Sequence, residues 1–361
     1  MLTGLTIEKL AEKVLEQRKL ARDFITPTDR TRFEMIDVGV GPNAHGDAPR
    51  SPRFGLALPG NAGTLGINRL AHEQLSAWSG IPIKYYDTMA ERAPTLLATN
   101  VNAWMQLHAD KRMVRTLDGN ARAWLSDSFR PLDNVKLLEA ALPAIHHVGG
   151  VVKSAEITER RLYIQVVSPK LEGEVAVGDV VQGGFILRNS EVGCGSLAIE
   201  FLLYRLRCLN GAITQNVLRR SHVGRKVEFG GGDEAAEFFS TETRVLEDAT
   251  FFSKVRDTIA SITSDERFQG VRETARAAAG IKVEADPVRV IAKVATEVNL
   301  SKQEGGDMLR HLIEDGDLSA WGYANAVTAL AHEVKSYDRC VELEAAGGRL
   351  IAKAPRFWNL N

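Results

Sequence analysis

The sequence predicts an α+β fold, an antiparallel sheet with flanking helices followed by a helical C-terminal region. Three observations lead there. Asp118 and Gly119 separate two strand-like runs, RMVRTL and ARAWLSD, and an Asp-Gly pair in that position is a strong signal for a two-residue hairpin. Between Val151 and Cys208 apolar residues alternate, as in Leu162, Ile164 and Val166, which is the period of a half-buried strand. From Asp233 onward the strand signals vanish and apolar residues recur at helical spacing. With Gly230 to Gly232 as a hinge, the chain divides into an N-terminal helix and irregular arm (1–50), an α+β core domain (51–230) and a helical region (231–361).

In chain order, Thr6 to Phe24 places Ile7, Leu10, Ala11 and Val14 on one helical face, with Thr6 as N-cap. Ile25 to Pro59 is dense in Pro, Gly, Asn and Asp and reads as an irregular connection, with short strands at 33–40 and 54–58. Helices follow at Ile67 to Gly80 and Pro94 to Ala109, the second largely apolar through Leu96, Leu97, Val101, Trp104, Met105 and Leu107. Pro131 to Ile145 returns to a helix after the hairpin. Val151 to Val167 reads as one long strand, and Val180 to Arg188 and Ser196 to Cys208 as two more. In the C-terminal region Asp286 to Val298, Ser301 to Glu314 and Ala320 to Ala346 are helical, with Asp286 and Ser301 as N-caps and Gly347 and Gly348 as the stop. The tail KAPRFWNLN offers Phe357 and Trp358 either for docking on a neighbouring element or for stacking on a base.

A chain of 361 residues with 44% hydrophobic content can bury a substantial core. The three cysteines, Cys194, Cys208 and Cys340, cannot all pair and read as reduced thiols, so the expected location is the cytoplasm. Neither a secretion signal nor an apolar run of membrane-spanning length is present, so no membrane association is expected. Cofactor motifs are missing as well. No GxxxxGK[ST] loop occurs, and the glycines of GNAGTLG and GGGD have the wrong spacing for a dinucleotide fingerprint. Ser196 in GCGSL lacks the nucleophile elbow of serine hydrolases. Cys194, Cys208 and His222 are singletons where zinc ligands come as close pairs. No cofactor, no metal and no catalytic residue is therefore assigned.

Against this background one segment is anomalous. The chain as a whole balances 45 basic against 46 acidic side chains, yet Phe201 to Val227 carries Arg205, Arg207, Arg219, Arg220, Arg225 and Lys226 and no acid. Such a local field suits a polyanion, and nucleic acid is the commonest one in a cell. On an extended segment Arg205 and Arg207 share a face, while Tyr204, Leu206 and Cys208 take the other. Arg112, Arg115 and Arg122 lie on the predicted hairpin. Together these cations would track phosphates, with Trp124 or Tyr204 beneath them or stacked on bases. The alternative destination of the guanidinium groups is an internal network with carboxylates such as Glu191 or Glu200.

The stretches RMVRTLDGNARAWLSDSFRPLDN (112–134), GDVVQGGFILRNSEVGCGSLAIEFLLYRLRCLNG (178–211) and WGYANAVTALAHEVKSYDRCVELEAAGG (321–348) resemble the phage- and plasmid-associated family catalogued as domain of unknown function 932. GIPIKYYDTM at 80–89 and NVNAW at 100–104 are also similar to it. The resemblance implies a setting in mobile genetic elements of bacteria, often beside genes for DNA replication or recombination, and no settled activity. Taken together, the expected function is a nucleic-acid-binding protein of a phage or prophage, acting on single-stranded DNA in recombination or replication. By analogy of layout it would anneal single strands without a nucleotide cofactor, as a homo-oligomer. A non-enzymatic structural or interaction module of a mobile element is the alternative. An enzyme assembled from dispersed residues such as Asp127, Asp133, Asn189, Glu191 and His222 is a third reading.

Overall fold

The computed structural model describes residues 2–36, 53–61, 63–222 and 241–359. Helix α1 (Ile7–Leu20) starts where the Thr6 side chain accepts a hydrogen bond from the Lys9 amide, and it buries Leu10 and Val14. It stops before Phe24 because Ala21 is extended and opens strand β1 (Ala21–Pro27). A short turn, Thr28–Arg30, leads to β2 (Arg32–Ile36), and β3 (Arg53–Ala57) and β4 (Thr64–Ile67) follow. Next come α2 (Arg69–Trp78), α3 (Ile83–Arg92) and α4 (Pro94–Leu107), then β5 (Lys111–Leu117) and β6 (Asn120–Ser126). The β5–β6 turn has Asp118 at φ 48° and Gly119 at φ 72°, the left-handed pair that a tight hairpin requires.

Among the described residues these strands form a mixed six-stranded sheet in the order β1-β5-β6-β4-β3-β2, with β4 parallel to β6 and the other pairs antiparallel. The segment expected to be an arm thus supplies both edge strands. Hydrophobic side chains can be buried there only because α2, α3 and α4 cover one sheet face, where Phe33, Leu56, Tyr86, Leu97, Val101 and Val114 share a core.

The second sheet is antiparallel throughout, in the order β11-β10-β9-β8-β7. After α5 (Asn134–His147) come β7 (Val151–Ile157) and β8 (Leu162–Ala176), so the single long strand expected from Val151 is a hairpin. Its turn is held by the Thr158 hydroxyl, which accepts from the amides of Arg160 and Arg161. Then follow β9 (Asp179–Asn189), β10 (Leu197–Arg205) and β11 (Asn210–Arg220). Asn210 and Gly211, a pair typical of turns, begin β11. Every residue of β10 is buried. Leu197, Ile199, Phe201 and Leu203 face the main core, whereas Leu202 and Tyr204 meet Tyr337 and Val341 on the opposite side.

The C-terminal elements are α6 (Thr241–Ile262), α7 (Asp265–Gly280), α8 (Pro287–Val298), α9 (Lys302–Asp315), α10 (Ala320–Ala329), α11 (Tyr337–Ile351) and α12 (Pro355–Trp358). Asp286 and Ser301 cap α8 and α9, the latter with a complete capping box to Glu304. Phe185 and Phe201 of the sheet and Phe268, Val294 and Trp321 of the helices belong to one hydrophobic core, so strands and C-terminal helices stabilise one another. The tail docks. Trp358 is 2% exposed and packs on Tyr323 with ring centroids 5.8 Å apart. No helix among the described residues is long and apolar enough to cross a membrane.

The helix expected to run unbroken from Ala320 to Ala346 breaks after α10, and Ser336 caps a new one. Gly347 and Gly348 lie inside α11, and their role is close approach. A Cβ on Gly348 would sit 1.8 Å from the Ile213 carbonyl oxygen of β11, and one on Gly347 would meet the Thr328 methyl of α10. Gly348→Ala is therefore expected to cost about 1–3 kcal/mol through forced backbone displacement. Gly270→Ala, in α7 with open space around it, should instead gain about 0.5–1 kcal/mol. Urea unfolding of the two variants checks the opposite signs.

Candidate nucleic-acid interface

The predicted arginines do not converge on one open surface. Arg115 is 2% exposed, and its three guanidinium nitrogens donate to Asp23 at 2.8 Å, to the Glu191 carbonyl at 2.8 Å and to Asp133 at 3.1 Å. Burial opposes its charge, but the bond to Asp23 and the field of the neighbouring carboxylates outweigh that and raise its pKa. Arg122 donates to Glu191 at 2.9 Å. The other Glu191 oxygen accepts from the Asn134 amide at 2.7 Å, in the first turn of α5. Asp133, drawn to Arg115, leaves that helix end to Glu191, whose charge also suits the helix dipole. Asn189 completes the cluster by donating to Asn134 at 2.8 Å and to the Leu132 carbonyl at 2.6 Å.

Three members of the dispersed-enzyme reading, Asp133, Asn189 and Glu191, are therefore brought together, with Arg115 and Arg122. The space lined by Asp133, Glu191, Arg115 and Arg122 together with Asn134 and residues of α1 is about 10 Å³, roughly the room of a single water. The cluster ties β5 and β6 of the first sheet to the segment after β9 of the second, which accounts for its charges structurally. His222 stands apart from it. Its ring stacks on Phe129, and burial lowers its pKa to about 4.

The acid-free stretch of β10 and β11 finds its counter-charges elsewhere in the chain. Arg205, 4% exposed, donates to Asp179 at 2.6 Å and to Asp315 of α9 at 3.1 Å. β10 ends at Arg205, so strand alternation does not extend to Arg207. That side chain is 63% exposed and lies 3.7 Å from Asp315. Arg219 and Arg220, successive on β11, part company. Arg219 is exposed and donates to the Ser196 hydroxyl at 3.2 Å, whereas Arg220 pairs with Asp248 of α6 at 3.1 Å and covers the Phe251 ring. Arg225 and Lys226 lie outside the described residues, as does the glycine run at 230–232. Neither predicted stacking residue is open: Trp124 is 3% exposed, and Tyr204 is 6% exposed beneath the Lys153 ammonium.

Arg112 leads to a different site. Its guanidinium bonds Asp110 at 2.9 Å and lies 5.4 Å from the centre of the Trp78 ring. Trp78 meets Trp124 on one side, at 5.6 Å, and the edge of His108 on the other, at 6.5 Å. His108 stacks on Trp104 with ring centroids 5.3 Å apart and an interplanar angle of 6°. Trp104 is 38% exposed and Leu107, beside it at the end of α4, 73%.

The platform is held rigidly. Thr28, fully buried, donates from its hydroxyl to the His108 carbonyl at 2.6 Å, and its amide donates to the Asp110 carbonyl at 2.9 Å. Gln106 donates to the Asp29 carbonyl at 2.7 Å. The segment so anchored carries Arg30 and Arg32, both exposed, and Lys111 is exposed at the start of β5. An aromatic pair held in place beside several cations can accept a base on the outer indole face and phosphates around it.

The sequence reading placed Trp104 among the apolar residues of its helix. Periodicity does not separate it, because Trp104 follows Val101 by three residues and Leu97 by seven and so borders the buried stripe of Leu97, Val101 and Met105. No family model matches the chain, and neither does any curated protein or solved structure.

Proposed function

We propose that this protein binds single-stranded nucleic acid, DNA in the first place, and does so non-covalently and without a nucleotide cofactor. The observation that carries the reading is the exposed Trp104 indole stacked on His108 at the rim of a sheet end bearing Arg30, Arg32, Lys111 and Arg112. Stacking on an aromatic face tolerates any base, and cations around it track the backbone, which is the combination that sequence-independent single-strand binding needs. A duplex keeps its bases stacked inside and offers the platform only its backbone. The resemblance to a family of mobile genetic elements supports a role in phage replication or recombination, where exposed strands must be held for pairing. Of the cations first considered, Arg112 belongs to this platform, and Arg207 and Arg219 retain exposed positions suited to secondary phosphate contacts.

Fluorescence anisotropy with labelled single-stranded and duplex DNA over a salt series tests the proposal. Single strands should bind more tightly than duplex, and log K should fall linearly with log salt with a slope of about −0.7 per phosphate contacted. Absence of binding to either form at low salt and micromolar protein would sink the reading.

A further inference from the structure

Building on the single-strand reading, we propose that His108 is a proton-gated phosphate contact of the Trp104 platform, so that the protein holds single strands more tightly as the pH falls below neutrality. Histidine is the side chain that ordinarily changes charge between pH 5 and 8, and this one sits inside the stack. Its imidazole lies 6° from parallel with the Trp104 indole, with ring centroids 5.3 Å apart, and the Trp78 ring stands at 73° to it, 6.5 Å away. The backbone is fixed as well. The His108 amide donates to the Trp104 carbonyl at 2.9 Å, and its carbonyl accepts from the Thr28 hydroxyl at 2.6 Å and the Asp110 amide at 2.9 Å. The side chain is exposed, and neither ring nitrogen has a hydrogen-bond partner among the described residues. The ring is thus held in place while its nitrogens stay open to a ligand.

Protonation changes two things at once. An imidazolium against the indole face makes a cation–π pair, which stiffens the stack on which a base would land. Both ring nitrogens also become donors, so the one that points outward can bond a phosphate oxygen beside the stacked base. Neutral imidazole offers one donor and no charge.

The surrounding charges leave that role open. On the elements packed around His108 the charged side chains are Asp29 and Arg30 of the turn, Arg32 of β2, and Asp110, Lys111 and Arg112 at the head of β5. Helix α4 carries none, and the titratable groups of α2 lie in its first half, away from Trp78. Asp110 is engaged by Arg112 at 2.9 Å, and that guanidinium faces Trp78. A protonated His108 is therefore a cation in direct contact with the stacking indole. A phosphate favours the imidazolium, so bound strand and bound proton strengthen each other. Affinity is full below the histidine range and is lost as the pH rises through it.

The test is anisotropy of the full chain with labelled oligothymidylate, whose bases do not titrate in this range, at about pH 5.5 and about pH 8 and fixed ionic strength. Affinity should be about tenfold higher at the lower pH. The slope of log K against log salt should steepen there by about 0.7, one further phosphate contact on a single strand. His108→Phe keeps an aromatic ring on Trp104 and removes the proton, so it should bind at both pH values within about twofold of the parent's high-pH affinity. Calorimetry near pH 6.5 in buffers of different ionisation enthalpy should show proton uptake on binding by the parent and none by His108→Phe. A parental affinity that is the same at both pH values, or a pH dependence that survives in His108→Phe, overturns the role of His108 and leaves the single-strand reading standing. Absence of binding at either pH overturns both.

Discussion

Trp104→Ala is expected to weaken single-stranded DNA binding by about 1–3 kcal/mol, or roughly 5- to 150-fold, the range found when a base-stacking aromatic is truncated. Folding should change little, because α4 is anchored by Leu97, Val101 and Met105, each fully buried, whereas Trp104 is 38% exposed. The loss should be uniform across base sequences, since stacking reads no hydrogen-bonding edge. Trp104→Phe should retain part of the affinity by keeping a π face. Removing cations should act differently: Lys111→Ala or Arg30→Ala should lower the salt slope by about one phosphate contact each. Anisotropy titrations at several salt concentrations separate the two effects. A Trp104→Ala variant that folds and binds as tightly as the parent would remove the platform from the mechanism.

The fold class was legible because its signals are local. The Asp118-Gly119 pair sets a hairpin through backbone conformation alone, and Thr6, Asp286 and Ser301 cap helices through bonds spanning three residues or fewer. What stayed hidden depends on distant parts of the chain. The strand expected at 33–40 forms as β2, but its place at a sheet edge is decided by β3 and by Asn102 of α4, which donates to the Phe33 carbonyl and accepts from its amide. Gly347 and Gly348 have the composition of a helix stop, and only β11 and α10 reveal why side chains are excluded there.

The candidate site follows the same division. An acid-free run of sequence says nothing about acids brought in from elsewhere. Asp179 lies 26 residues from Arg205 and Asp315 lies 110 away, so a charge window along the chain cannot see either. Local charge imbalance marked arginines that need partners, and the fold supplied carboxylates. The exposed aromatic pair had the opposite fate. Trp104 and His108 are four residues apart and thus neighbours on a helix, but their exposure depends on which stripe of α4 faces the sheet.

Arg205→Ala is expected to destabilise the protein by about 3–5 kcal/mol, the cost of removing one partner from a buried ion pair. The guanidinium joins three elements: Asp179 at the start of β9, Asp315 at the end of α9, and its own strand β10. Asp179 is 6% exposed and also accepts from the Trp321 indole N–H at 2.8 Å, so it cannot swing into solvent when its cation is lost. Burial disfavours the charge on Arg205, yet the bond to Asp179 and the field of Asp315 prevail and raise its pKa. Lysine should rescue poorly, since one ammonium cannot reproduce a fork that meets two carboxylates from different elements. Asp179→Asn combined with Arg205→Met should recover part of the loss by leaving less buried charge unpaired. Arg207→Ala, two residues on and largely exposed, should change stability by no more than about 0.5 kcal/mol. Urea denaturation of these variants, with DNA binding measured on the folded fraction, distinguishes an architectural arginine from a phosphate contact. An Arg205→Ala protein of parental stability but reduced DNA affinity would return Arg205 to the binding surface.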